Sequence, residues 1–189
     1  FIKDAGIKLK NQIRIIFGTD EETGWRGISH YLKNFPMPDL GFAPDASFPL
    51  IYGEKGRMSY DLALNKWDDE DILVSISGGD RYNVVLEEVK AVLKKDLSSE
   101  FASYANANNL EYSVSLNNGL CELTLKGKAA HAMEPFKGIN AGTYMCDFLK
   151  DYSNNLMIKY VAEKHHLSHE CEKLCLDYND YEMGPITCN

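Results

Sequence analysis

Two adjacent carboxylates, Glu21 and Glu22, are the residues of this chain best suited to chemistry. They lie in Gly18-Thr19-Asp20-Glu21-Glu22-Thr23-Gly24, directly after an apolar run from Ile13 to Phe17 that only Arg14 breaks. Three acidic residues at the end of an expected buried strand are hard to explain as packing. Strand side chains alternate between faces, and an unpaired buried carboxylate is costly. A solvated loop, a helix N-terminus or a metal ion removes that cost. Adjacent glutamates can divide two roles, one binding a metal and the other taking a proton from metal-activated water. The plain alternative is an acidic turn capping the helix expected from Trp25, where the helix dipole favours negative charge.

Asp45 stands between Pro44 and Ala46 and by itself reads as a turn or cap residue. Its place after a second short apolar stretch, Leu40–Ala43, links it to the first loop, because ligand groups in α/β sheets gather at the carboxyl ends of strands. His131 sits in Gly127-Lys128-Ala129-Ala130-His131-Ala132-Met133-Glu134-Pro135. Small neighbours leave its imidazole accessible; it is functional, structural or simply exposed. Gly78-Gly79-Asp80-Arg81-Tyr82-Asn83 joins an expected strand to an expected helix. Such a junction could admit an anion, or be a plain turn with Asn83 as N-cap. It is not a Walker or Rossmann motif. His165, His166 and His169 look like a metal cluster and read equally as a solvated helix end.

These groups need elements to hold them. Residues 12–19 read as a strand buried on both faces, the parallel-sheet type. A short helix follows over Trp25–Asn34, then the short strand Leu40–Ala43. Strand, helix, strand is the order of an α/β domain. After Gly53-Glu54-Lys55-Gly56 the pattern changes. Met58, Tyr60, Leu62 and Leu64 alternate as in a half-buried strand, as do Ile72, Val74 and Ile76. Val85, Leu86, Val89, Val92 and Leu93 recur at helical spacing. Tyr112–Leu116 and Cys121–Leu125 alternate around Asn117-Asn118-Gly119, which predicts a hairpin. Ala141, Tyr144, Met145, Phe148, Leu149 and Tyr152 mark a second amphipathic helix, and the chain reads as helical again from Met157 to about His166. The expected architecture is an α/β region over 1–53, built on a mostly parallel sheet with helices. An α+β region over 54–189 follows, an antiparallel sheet with two helices on one face.

The composition narrows the partners. The chain has 189 residues, 44% of them hydrophobic and 25% charged, as in globular proteins. A net charge of −8 argues against a nucleic-acid partner. No apolar run approaches the roughly 20 residues of a membrane span, and no signal peptide is seen. Five irregularly spaced cysteines suit inert thiols in a reducing cytoplasm. Cys171 and Cys175, four apart, suit one helix face better than a zinc knuckle.

The order of these motifs resembles the carnosinase/aminoacylase-like di-zinc metallopeptidase superfamily, and within it the PepV-type dipeptidases. Gly18–Gly24 resembles the glutamate-pair motif. Pro38-Asp39-Leu40-Gly41-Phe42-Ala43-Pro44-Asp45-Ala46-Ser47-Phe48-Pro49 resembles the next motif of that branch. Gly127–Pro135, continuing through Gly138-Ile139-Asn140-Ala141, is similar to its lid-domain signature, and Arg81-Tyr82-Asn83-Val84-Val85 to its Arg-aromatic-Asn segment. The resemblance runs in order over about residues 8–189. It implies two divalent metal ions, zinc first, with manganese and cobalt equally suited to such ligands. It implies Glu21 as the general base that takes a proton from the metal-bridging water. Glu22 would bind one metal and Asp45 the other. His131 would stabilise the oxyanion, Asn83 would contact substrate or that oxyanion, and Arg81 would contact substrate or only support the loop. The substrate would be a dipeptide or short peptide, and the parent enzyme a cytoplasmic monomer, with a lid-mediated dimer as the variant. The first 53 residues would then belong to the catalytic domain and the rest to the first part of the lid.

The same resemblance places a histidine and a bridging aspartate upstream of Phe1, and a last metal-binding histidine beyond Asn189. The 189 residues are therefore expected to be an internal fragment that binds metal weakly and hydrolyses nothing alone. Two other readings stay open: an amidohydrolase acting on N-acyl amino acids with the same site, and a non-catalytic interaction module. No Gly-x-Ser-x-Gly nucleophile motif is present.

Overall fold

The computed structural model describes residues 2–21, 24–45, 49–64 and 68–189. The chain divides into two compact units, Phe1–Ile51 and Tyr52–Asn189.

In the first unit the expected helix forms as α1, Arg26–Asn34. Asp20 organises its start. The Asp20 carbonyl accepts from the backbone N–H groups of Gly24 (3.0 Å) and Trp25 (2.7 Å). Its carboxylate accepts from Arg26 at Nε (2.5 Å) and Nη2 (3.1 Å). The side-chain hydrogen bond and charge of Asp20 in turn raise the pKa of the Arg26 guanidinium. Asp20 is thus the helix-start carboxylate of the triplet.

The two expected strands of this unit do not form. Among the described residues, 12–19 and 40–43 belong to no sheet. A strand exists only against a hydrogen-bonding neighbour, and no described segment of this unit supplies one. The apolar side chains meant for a two-sided interior are left in solvent: Phe17 is 92% and Phe42 93% exposed.

The second unit is an antiparallel four-stranded sheet: β1 (Leu73–Ser77), β2 (Glu88–Leu93), β3 (Glu111–Asn117) and β4 (Leu120–Lys126), in the order β1-β2-β4-β3. Its helices are α2 (Ser98–Ala107), α3 (Ala141–Leu149) and α4 (Leu156–Lys164). A second, two-stranded ribbon pairs Asn179–Asp180 with Gly184–Pro185. The register sorts the main sheet's faces. Val89, Leu125 and Tyr112 form one cross-strand row, Ala91, Leu123 and Val114 the next, and Leu93, Cys121 and Leu116 the third. These rows meet α2 and α3, whose Phe101 and Phe148 rings pack 5.1 Å apart in the same buried cluster. The opposite face carries Glu88, Lys90, Glu122, Ser113 and Ser115. Two helices on one face of an antiparallel sheet is the expected α+β layer.

Three assignments change. Residues 85–93 are not a helix. Glu88–Leu93 is a central strand in which Val89, Ala91 and Leu93 are buried at period two, the alternation of side chains on a pleated surface. Met58–Leu64 pairs with no described strand, and Met58, Tyr60 and Leu62 stay exposed. The helix between strands is α2, whose first turn Asp96 opens by accepting from the Ser98 N–H at 3.0 Å. The hairpin and α3 form as expected. At the hairpin tip Asn118 (φ 52°) and Gly119 (φ 78°) both take the left-handed conformation of a type I′ turn.

His165, His166 and His169 near α4 are each half-buried rather than a fully solvated end. His166 packs edge-on against Tyr144 (4.6 Å between centroids), with Nε2 3.7 Å from Asp147. Burial lowers its pKa, against the opposing pull of Asp147. All five cysteines are free thiols, and burial pushes Cys146 up to about 12. Cys171 and Cys175 bracket a 3-10 turn, Glu172–Leu174, rather than sharing an α-helix face.

Candidate functional site

His131 stands on a strap built by its backbone. Lys128 and Ile139 exchange both N–H···O bonds at 2.9 Å, closing the ends of the segment between them. Glycine is required at that closure: a Cβ on Gly127 would lie 2.0 Å from the Ile139 carbonyl oxygen, and one on Gly138 2.8 Å from that of Lys128. Gly127 and Gly138 therefore have a steric cause.

Within the strap, His131 pairs with Val84 across an isolated antiparallel bridge. The bonds flanking it run from Val85 N–H to the Ala130 carbonyl and from Ala132 N–H to the Asn83 carbonyl, each 2.9 Å. The bridge therefore sits at a non-hydrogen-bonded position, where paired Cα atoms approach to about 4.5 Å. Asn83 and His131, far apart in sequence, become neighbours. Asn83 is not a helix N-cap, because the residues after it are extended. Arg81 is exposed two residues before Asn83, with Nε 3.3 Å from Asp80. Between them Tyr82 donates to Asp61 at 2.7 Å, and that hydrogen bond raises the phenol's pKa.

The imidazole of His131 is exposed and oriented. The backbone N–H of Met133 donates to its Nδ1 at 3.2 Å. A ring nitrogen that accepts a hydrogen bond carries no proton, so the neutral ring holds its proton on Nε2. His131 thus presents an Nε2–H donor to solvent, the form an oxyanion needs.

Of the other expected site residues, Glu21 and Asp45 lie in the first unit, both exposed. Glu22 lies outside the described residues. Carboxylates of this kind suit hard and borderline divalent ions. Among the described residues, no group of three or more His, Cys, Asp or Glu side chains is close enough to hold a metal ion. The donors fit in kind, and Glu22 and Asp45 alone fall short of the three protein ligands a catalytic zinc usually keeps.

One buried carboxylate was missed by the sequence reading. Asp71 accepts from Leu73 N–H (2.9 Å), Ser153 Oγ (2.8 Å) and Asn154 N–H (2.6 Å). Burial pushes its pKa up, and these donors outweigh burial and hold it below the ordinary value. Its work is structural: it ties the start of β1 to the turn between α3 and α4. The Asp-x-Leu spacing before β1 was the only local signal.

No family model matches the chain. The whole chain is similar to curated proteins named "Putative dipeptidase". It is 37% identical over 202 aligned positions to one from Staphylococcus aureus (strain USA300), and 37% identical over 202 to one from Staphylococcus haemolyticus (strain JCSC1435). The alignments cover all of this chain and 43% of each relative, so the chain spans less than half the length of the curated relatives it matches. No helix among the described residues is long and apolar enough to cross a membrane.

Proposed function

We propose that the protein to which these residues belong hydrolyses dipeptides or short peptides with metal-activated water. The single observation that carries this reading is the similarity of the whole chain, over 43% of the relative's length, to proteins named "Putative dipeptidase". The oriented Nε2–H of His131 supports it independently.

Glu22 and Asp45 would each contribute a carboxylate to a divalent ion, zinc first. Such a pair of ions, when bound, supplies polarisation of the scissile carbonyl and a lowered pKa for water. Glu21 takes the proton of the attacking water and delivers it to the leaving amine. His131 donates from Nε2 to the carbonyl oxygen as negative charge develops there, a contribution worth about 10²–10³ in rate when one such donor is removed. Asn83, held beside His131 by the bridge, and exposed Arg81 contact the substrate. The cytoplasm and a monomeric state complete this reading.

The test is an assay of the whole protein on a dipeptide panel and on N-acetyl amino acids, with zinc or manganese supplied. Turnover of dipeptides well above that of N-acetyl amino acids supports the reading. The reverse preference replaces it with a deacylase, and inactivity on both replaces it with a binding module.

A further inference from the structure

We infer that Thr187 and Asn189 are positioning residues that hold the His131 strap in its working pose; the inference rests on the oxyanion role proposed for His131. Beyond its backbone closure, the bridge to Val84 and the buried Pro135, the strap has few side-chain contacts to fix it. His131, Met133 and Phe136 are exposed, so few apolar contacts oppose local opening. A two-stranded pairing of this length is marginal by itself.

The residues around Cys188 provide the missing constraint. Asn189 donates from Nδ2 to the Val84 carbonyl at 3.0 Å, on the strand opposite His131. Thr187 donates from Oγ1 to the Ala132 carbonyl at 3.2 Å, on the strand of His131 itself. The two grips therefore fall on both strands of the bridge, next to the pair they secure. Cys188 between them is anchored by its N–H to the His169 carbonyl at 2.9 Å.

The clamp is tied back to the core. Asn189 Oδ1 accepts from Asn140 Nδ2 at 3.4 Å. The other end of the Asn140 amide accepts from Thr143 N–H at 3.2 Å, capping α3. A continuous path runs from the α3 N-terminus through Asn140 and Asn189 to Val84, and across the bridge to His131. Loosening it shifts the imidazole relative to a reacting carbonyl, and displacements on the order of 1 Å cost up to about 10²-fold in rate. Neither residue touches substrate in this account.

The test uses the whole protein labelled with 15N-histidine, with Thr187→Val and Asn189→Ala alone and combined, and Thr187→Ser as the conservative control. The His131 ring nitrogens report the tautomer by long-range 1H–15N correlation, whether or not the protein turns anything over. The wild type and Thr187→Ser are expected to show the Nε2–H tautomer. The double variant is expected to show a mixture, with kcat about tenfold lower and KM within about twofold, as befits lost transition-state positioning. Thr187→Val, nearly isosteric, gives the same direction with the least risk to folding. An unchanged tautomer in the double variant, or wild-type kcat in an active protein, overturns the inference. Absence of all peptidase activity would instead count against the proposed function, and the tautomer would still decide this one.

Discussion

Met133 N–H and His131 Nδ1, 3.2 Å apart, fix which nitrogen of the histidine carries the proton. The donor comes from the backbone two residues on, so the tautomer is written into the strap's conformation. If His131 acts as proposed, His131→Ala is expected to lower kcat of the active protein about 10²–10³-fold with a small change in KM, since the lost donor would act on the transition state. Steady-state kinetics on a dipeptide checks it; an unchanged kcat removes His131 from the mechanism.

Gly127 gives a purely steric prediction. A Cβ there would fall 2.0 Å from the Ile139 carbonyl oxygen. Gly127→Ala must break the Lys128–Ile139 closure or move β4, and is expected to destabilise the fold by about 2–4 kcal/mol, the range of strongly strained substitutions. Urea unfolding measures it. Gly119→Ala is strained for a different reason, its φ of 78°, with open space around the added carbon, and should cost only about 1 kcal/mol.

The second unit was expected as strand, strand, helix, hairpin, helix, and that order of types is observed. The residues filling it are displaced. The expected first strand, Met58–Leu64, finds no described partner. The expected second, Ile72–Ile76, is β1. Residues 85–93, expected as a helix, supply β2, and Ser98–Ala107 supplies the helix. Val85, Val89, Val92 and Leu93 fit a helical period, and Val89, Ala91 and Leu93 fit a strand period. Spacing in so short a run cannot arbitrate, and pairing with β4 does. The hairpin was legible because Asn118-Gly119 is local chemistry. The clamp on the strap was not, because Thr187 lies 55 residues from its partner Ala132 and Asn189 lies 105 from Val84.

Asp71 sets a pH dependence. Its folded pKa is depressed below the ordinary 3.8, despite burial, by hydrogen bonds from Leu73, Ser153, Asn154 and Asn155. A depressed carboxylate contributes stability that is fully present above its unfolded pKa. That stability is lost as pH falls through the lower folded value. Asp71→Ala is expected to cost about 3 kcal/mol at pH 7, because it strands buried donors. Its difference from wild type should shrink as pH falls below the ordinary carboxylate value of 3.8 and through the lower folded one, where the carboxylate protonates. Denaturant midpoints of both proteins at pH 7 and at acid pH test this; a difference that stays constant with pH refutes the role assigned to the charge.

Metal binding gives a further outcome. With Glu22 and Asp45 as the proposed ligands, the 189 residues alone are expected to bind zinc or manganese no tighter than micromolar, because about three protein ligands are usual for catalytic zinc. Calorimetric titration decides it. Two sites of sub-micromolar affinity would show that the ligand set is wrong.

The central claim is peptide hydrolysis with Glu21 as the base. The most direct measurement is the initial rate of dipeptide hydrolysis by the whole protein and by its Glu21→Gln variant, with metal supplied and equal metal content confirmed. The account predicts turnover by the wild type and a loss of about 10²–10⁴-fold in kcat for the variant, the contribution of a general base. A variant as active as the wild type, or a metal-loaded wild type that cleaves no dipeptide, contradicts it.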